Sequence, residues 1–196
     1  MPFIEVVSDR SAGTEAAELF AADRARLGYV ANYTRLFALR PGVYAAWRAL
    51  VAAITAGMDD RRYELVTVAA ARRLRSSYCS LAHGKVLADR FLEPAAVRDV
   101  IIDRGAAGLD DVELAVMSLA ENVVDDATAV IPADIERLRE LGLSDVEIFD
   151  VVLAAAARCF FSKTLDALCV QPDAAYEALE PELRDVLTVG RPIEEG

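Results

Sequence analysis

The sequence predicts an all-α protein, built as a single domain over residues 1–196 with a loose lead-in over residues 1–12. Hydrophobic residues make up 55% of the chain, and much of that share is alanine, which suits closely packed helices better than strands. Apolar residues recur at helical spacing, whereas the alternation typical of strands is nearly absent. No linker rich in glycine, proline or serine divides the chain, and 196 residues are enough for one sizeable core.

The first two helices are predicted from their opening residues and their apolar spacing. A threonine N-cap followed by helical spacing predicts a helix at residues 14–27. Pro41 fits the first turn of a helix, so the second helix is predicted at residues 43–58. Trp47 and Leu50 are expected on its apolar side.

Polar breaks precede the next two helices. The carboxylates of residues 59–60 can accept bonds from the free N–H groups at the start of a helix, which is predicted at residues 61–75. The hydroxyls of Ser76–Ser77 offer the same capping groups for a helix at residues 78–90.

The remaining helix starts carry the same signals, a proline in the first turn or a capping carboxylate or hydroxyl, and Gly142 provides a helix end. These helices are predicted at residues 94–105, 112–124, 132–141 and 145–168, with a last helix beginning at Pro172.

Charge and composition exclude several classes of function. A net charge of -11 argues against binding to phosphate backbones, which needs a basic surface, and against docking on anionic membranes. No apolar run approaches the roughly 18 residues that span a bilayer, and the N-terminus lacks the features of a signal peptide. The three cysteines do not form a disulfide framework. We therefore expect a soluble, cytoplasmic protein with no nucleic-acid or membrane partner.

An internal echo supports a helical repeat. Residues 60–83 align without gaps onto residues 145–168 and share an Ala-Ala-Ala run and several other residues. Alanine-rich helices match easily by chance, so a structural duplication is a hypothesis. In the alignment, Phe149, Thr164 and Leu168 replace Glu64, Cys79 and His83. If the repeat is structural, helices of this kind do not need those three polar residues in order to fold.

Cys79 and His83 are the strongest candidates for chemistry. His83 is the only histidine of the chain, and it follows Cys79 by four residues, so a helix would place both on one face. A thiol acts as a nucleophile only when it is ionised, and a neighbouring imidazole commonly assists that ionisation. Glu64, on the preceding helix, can orient the imidazole. These three residue types have the chemistry of a metal site, but three ligands without a cysteine pair predict no metal, and no haem or flavin signature is present.

The spacing of Glu64, Cys79 and His83 resembles the carboxymuconolactone decarboxylase superfamily, especially its alkyl hydroperoxidase D-like (AhpD-like), peroxidase-related branch. The signature of that family is a Glu on one helix and Cys-x-x-Cys-x-x-x-His at the start of the next. Ser76 stands at the position of the first Cys. The segments 28–32 and 141–145 also look like family features. The resemblance implies an AhpD-like helical bundle.

The resemblance also implies a function and an assembly. Cys79 would be the peroxidatic thiol of a hydroperoxide reductase, and His83 and Glu64 would form its proton relay. Ser76 cannot form a disulfide, so it would cap the helix or bond the thiolate, and an external thiol would act as reductant. Family members commonly form trimers or hexamers, so a homo-oligomer is expected, and no cofactor is implied.

Two alternatives stay open. In a decarboxylase-like enzyme, His83 and Glu64 would act as general acid and base on a lactone acid whose carboxylate is held by Arg72 or Arg75. In a non-catalytic oligomeric binder, only the fold would be kept. Cys159 and Cys169 are interpreted as core residues, and resolution of an oxidised Cys79 by either of them stays an open alternative.

Overall fold

The computed structural model describes residues 2–105 and 108–195, and all regular structure within these ranges is helical. Ten α-helices follow one another there, joined by turns and by two short 3₁₀ helices at Ala127–Ala129 and Ala174–Ala178. The α-helices are α1 Thr14–Leu27, α2 Asn32–Phe37, α3 Pro41–Thr55, α4 Asp60–Arg73, α5 Ser77–Arg90, α6 Pro94–Ile102, α7 Asp111–Asp126, α8 Pro132–Glu140, α9 Asp145–Ala167 and α10 Pro181–Leu187.

Helix α4 lies at the centre of the bundle. Its residues 63–71 are all buried, and α5, α7 and α9 pack around it. This segment combines β-branched side chains with an Ala-Ala-Ala run, and such small side chains let neighbouring helices approach on every side. A second cluster, formed around Trp47, Phe37 and Phe161, joins α2, α3 and α9 next to the start of α5.

Predicted capping side chains open three helices, α4, α7 and α9, whereas α1 begins after Gly13 and has no side-chain cap from the predicted threonine. Asp59 accepts a bond from the Arg62 backbone N–H at the start of α4. Full capping boxes open α7 and α9, where Ser144 and Glu147 at α9 bond each other's backbone N–H groups. Local side-chain chemistry was therefore sufficient to predict these boundaries.

The structure differs from the predicted helices in two places. Helix α2 was not predicted, because its six residues carry no cap and are held by the burial of side chains such as Phe37. The last helix begins at Pro181 rather than at Pro172. The Asp173 carboxylate accepts bonds from the Asn32 backbone N–H at 2.8 Å and from the Tyr78 hydroxyl at 2.5 Å, so tertiary contacts fix the chain here.

Other differences are smaller. Trp47 is buried as predicted, but Leu50 is 48% exposed. Helix α6 ends at Ile102, before the predicted position. The lead-in contains no helix, yet its backbone is anchored by Phe3 and Val7, whose N–H groups donate to carbonyls of residues 168 and 35.

The internal echo corresponds to structure only in its first half. Both copies begin with capped helices, α4 and α9, and both bury their alanine runs at least in part. The chain breaks between α4 and α5, whereas α9 continues unbroken through the aligned residues 159–161. None of the helices in the described residues is long and apolar enough to cross a membrane.

We predict that Gly84→Ala lowers the free energy of unfolding by about 1–2 kcal/mol. A Cβ at Gly84 in α5 would lie 2.5 Å from a methyl of Leu187, a fully buried residue of α10, and such overpacking outweighs the gain in helix propensity. Chemical denaturation measures the change. Gly42→Ala in α3 is the matched control, because a Cβ there meets nothing within 4 Å; equal stability of the two variants would contradict the prediction.

Candidate active site

Helices α4 and α5 bring Glu64 and His83 into direct contact. The His83 Nδ1 lies 2.6 Å from the Glu64 Oε2, and the two side chains are only 17% and 12% exposed. An ionised carboxylate can only accept hydrogen bonds, so Nδ1–H donates and the other ring nitrogen, Nε2, keeps its lone pair. The Glu64–His83 pair has the geometry of a histidine oriented by a carboxylate, which is the arrangement expected of a proton relay.

The environment keeps the His83 imidazole neutral near pH 7. Burial lowers its pKa most, and the charge of Arg158 lowers it further, while the charge and hydrogen bond of Glu64 raise it. The balance leaves the pKa of His83 below its ordinary value of 6.5. A neutral imidazole with a free Nε2 can accept a proton, and the adjacent carboxylate would stabilise the resulting cation.

Cys79 occupies the first turn of α5, where the helix dipole favours an anion. The thiol is buried, with 2% of the residue exposed. Its hydrogen-bond partner is Nη1 of Arg158, 3.5 Å from Sγ, and no hydrogen bond joins it to His83 in the described part of the chain. The thiol and the imidazole lie on one helix and line one cavity, as expected, without a hydrogen bond between them.

Arg158 enters the site from α9 and was missed from the sequence. The residue is 4% exposed, and its Nη2 donates to the Tyr63 hydroxyl at 3.3 Å. Its guanidinium lies 5.9 and 5.7 Å from the ring centroids of Trp47 and Phe161. Among residues 2–105 and 108–195, no carboxylate forms an ion pair with it. A lone arginine inside the apolar run of α9 was the signal that could have found it.

The charge of Arg158 persists despite its burial. Burial lowers the pKa of the guanidinium, but the charges of Cys79 and Tyr63, together with their hydrogen bonds to it, outweigh that effect and raise the pKa above its ordinary value. A buried cation normally requires a compensating anion, because removing an ion from water costs several kcal/mol. In the described part of the chain, the groups that hydrogen-bond to the Arg158 guanidinium are the sulfur of Cys79 and the phenol oxygen of Tyr63.

The cavity beside Cys79 has a volume of about 340 Å³ and is largely aromatic. Cys79, His83 and Arg158 contribute the reactive and charged groups of its wall, and Arg26 lies at the same cavity. The aromatic side chains that line it are Tyr33, Tyr44, Trp47, Tyr63, Tyr78 and Phe161. The thiol therefore lies in the wall of a cavity whose size and aromatic lining suit a small organic molecule.

Ser76 occupies the N-cap position of α5, as predicted, but its hydroxyl makes no capping bond. The side chain is fully buried and makes no hydrogen bond to Cys79; its interaction is with Asp166. Ser77 uses its hydroxyl to accept a bond of 2.7 Å from the Gly190 backbone N–H. The C-terminal segment thus covers the start of α5, with Gly190 so close to Arg75 that a Cβ would collide with its carbonyl.

The arginines and cysteines singled out nearby do not belong to the cavity. Arg72 donates to the carbonyl of Val186, and Arg75 lies in the turn after α4 with a φ of 56°; neither lines the cavity, so the predicted carboxylate anchor is not there. Cys159 and Cys169 are free and partly exposed rather than buried in the core, and neither lines the cavity. No group of three His, Cys, Asp or Glu side chains within the described ranges is arranged to hold a metal ion.

No protein-family model and no curated protein matches this chain, but solved structures do. A peroxidase-related protein with the alkylhydroperoxidase AhpD core, from Ralstonia eutropha JMP134, is 21% identical with a TM-score of 0.79, over 89% of this chain and 94% of that one. A peroxidase-related protein from Silicibacter sp. TM1040 is 19% identical with a TM-score of 0.80, over 90% and 94%.

A third similar structure is the debrominase Bmp8 C82A in complex with 2,3,4-tribromopyrrole. It is 14% identical with a TM-score of 0.77, over 95% of this chain and 98% of that one. At these identities the likeness is one of fold. It confirms the predicted all-α, AhpD-like fold.

We predict that His83 titrates below pH 6.5 and that Glu64→Gln lowers its pKa further, because the carboxylate is what raises it. The sole imidazole gives one unambiguous NMR signal whose chemical shift can be followed against pH. Below about pH 6.5 the unfolded chain binds the proton more tightly, so stability is expected to fall as the pH drops through this window.

The His83→Gln variant is the control for that stability change, which it should remove. A rise of the His83 pKa in Glu64→Gln would contradict the arrangement of charges described here.

Proposed function

We propose that this protein, which has the AhpD-like fold, is a thiol-dependent reductase that reduces hydroperoxides through Cys79. The main support is that a thiol at the start of α5 and a histidine oriented by a carboxylate line the same cavity. Thiol nucleophiles are activated by a nearby base and by a helix N-terminus, and both features are present.

In the proposed reaction, His83 accepts the thiol proton and the Cys79 thiolate attacks the distal oxygen of the hydroperoxide. The S–O bond forms as the O–O bond breaks, and the imidazolium returns the proton to the departing alkoxide. The products are an alcohol and a sulfenic acid on Cys79. Glu64 stabilises the imidazolium while it holds the proton.

Reduction of the sulfenic acid is assigned to an external thiol. Ser76 takes the place of a resolving cysteine, and Cys159 and Cys169 do not line the cavity. One external thiol would displace water to form a mixed disulfide with Cys79, and a second would release the free enzyme as its own disulfide forms. Two thiols are therefore consumed for each hydroperoxide.

The aromatic cavity supports a second candidate, reductive dehalogenation of an aromatic ring. Bmp8, a debrominase with the same fold, binds 2,3,4-tribromopyrrole. The Cys79 thiolate would attack the halogen, forming an S–halogen bond as the carbon–halogen bond breaks, and His83 would return the proton to the ring carbon. External thiol would then release halide and leave a disulfide. A lactone-acid enzyme would need a carboxylate anchor other than Arg72 and Arg75, which lie outside the cavity.

A homo-oligomer is also proposed. Helices α3 and α9 pack against each other and expose large apolar side chains, including Leu50 at 48% and Phe149 at 59%. Exposed apolar surface of this kind commonly marks a protein interface. The proposed assembly is a trimer or a hexamer with this surface, defined by Val43, Leu50, Val146, Phe149 and Phe160, at the contact.

We predict that the purified protein consumes organic hydroperoxide in the presence of excess thiol and that Cys79→Ser reduces the rate by at least about 100-fold, because the nucleophile is lost. Peroxide loss and thiol oxidation are measured together and should show a ratio of one to two. Cys159→Ser is the control and should keep the wild-type rate.

The same assay with a brominated phenol or pyrrole separates the two candidates. Bromide release that depends on Cys79, without peroxide consumption, would select dehalogenation. Equal peroxide consumption by Cys79→Ser and wild type would rule out the leading proposal.

We predict that Leu50→Glu combined with Phe149→Glu dissociates the oligomer to monomers, because two charges cannot be buried at an apolar contact without partners. Light scattering after size-exclusion chromatography measures the mass. Ile131→Glu, at a residue 55% exposed outside this surface, is the control and should leave the mass unchanged. A wild-type monomer would contradict the proposed assembly.

A further inference from the structure

We propose that Arg158 is a catalytic residue that holds Cys79 as a thiolate, a role that the sequence had suggested for His83. The inference rests on the proposed thiol chemistry and adds the group that stabilises the nucleophile. The observation behind it is a buried guanidinium hydrogen-bonded to the sulfur at 3.5 Å.

The partners of Arg158 explain why the sulfur is the expected anion. Its two side-chain hydrogen bonds go to Cys79 and Tyr63. A phenol ionises near pH 10, whereas a thiol ionises near pH 8.5, so sulfur is the partner that can become an anion close to neutral pH. Since no carboxylate in residues 2–105 and 108–195 forms an ion pair with Arg158, the sulfur bonded to the guanidinium is the group placed to compensate its buried charge.

Stabilisation of the thiolate and transfer of its proton are assigned to two different residues, Arg158 and His83. The Nδ1 of His83 is bonded to Glu64, and the ring makes no hydrogen bond to the sulfur in the described chain. Arg158 acts on the equilibrium between thiol and thiolate, because its charge favours the anion. His83 acts on the path of the proton, which it accepts and returns to the substrate.

Other titratable groups surround the thiol, and they come from α5 itself and from the helices around its start. None of them is a carboxylate in contact with the sulfur. The groups are Arg158 on α9, Tyr63 on α4, His83 and Tyr78 on α5, Tyr44 on α3, Arg26 and Tyr33 at the cavity, and Tyr176 in the second 3₁₀ helix.

The test is the pH profile of Cys79 alkylation by iodoacetamide, with the labelled residue identified by mass spectrometry. Arg158→Met keeps the length of the side chain and removes its charge. We expect its profile midpoint to rise by at least one pH unit, which is about tenfold less thiolate at pH 7. The limiting rate at high pH should rise about threefold, because a less stabilised thiolate is a stronger nucleophile.

Two further variants make the result specific. Arg158→Lys keeps the charge and should restore most of the midpoint, whereas His83→Gln should shift it by less than about 0.3 pH units. A change in access to the thiol alone would alter the limiting rate and leave the midpoint in place. An unchanged midpoint in folded Arg158→Met, or a larger shift in His83→Gln, would overturn the proposal.

A measurement on the native side chain keeps the test valid even where Arg158→Met fails to fold. The thiolate absorbance at 240 nm is taken as the difference between wild type and Cys79→Ser across pH 5–9. A midpoint well below that of a free cysteine supports the proposal, and an ordinary midpoint overturns it.

The two proposals fail in distinguishable ways. A shifted alkylation midpoint in a protein that turns over neither peroxide nor haloaromatic would reject the function and keep the role of Arg158. Turnover with an unchanged midpoint in Arg158→Met would reject only the role of Arg158.

Discussion

The burial of residues 63–71 of α4 constrains the site more than any other feature. This segment is enclosed by α5, α7 and α9, so Glu64 needs a partner inside the protein. That partner is His83, one helix further along the chain, at 2.6 Å. The cost of burying a carboxylate without a partner therefore favours this contact, and the contact orients the imidazole.

A second buried charge organises the other side of the cavity. Arg158 reaches from α9 past the stacked rings of Trp47 and Phe161 to the sulfur of Cys79. The site thus contains two polar pairs, Glu64 with His83 and Arg158 with Cys79, in an otherwise aromatic cavity. Because the surroundings are apolar, each charge acts strongly on its neighbour. This arrangement suits a reaction that needs a stabilised anion and a mobile proton.

Helices with local signals were predictable, and helices held only by packing were not. The starts of α4, α7 and α9 follow from capping side chains three residues from the N–H groups that they accept. Helix α2 has no such cap and exists because its apolar side chains are buried. Pro172 looked like a helix start, but the bonds of Asp173 to distant residues hold the chain in another conformation.

The sequence by itself determined the all-α fold and placed Cys79 and His83 on one helix, because capping and the i,i+4 relation act within a few residues of chain. Glu64 was identified by its register, and its contact with His83 depended on how two helices cross. Only the tertiary structure brought in Arg158, which is 79 residues from Cys79, and excluded Arg72 and Arg75 from the cavity. Side-chain contacts between distant helices depend on packing of the whole core, which no local pattern encodes.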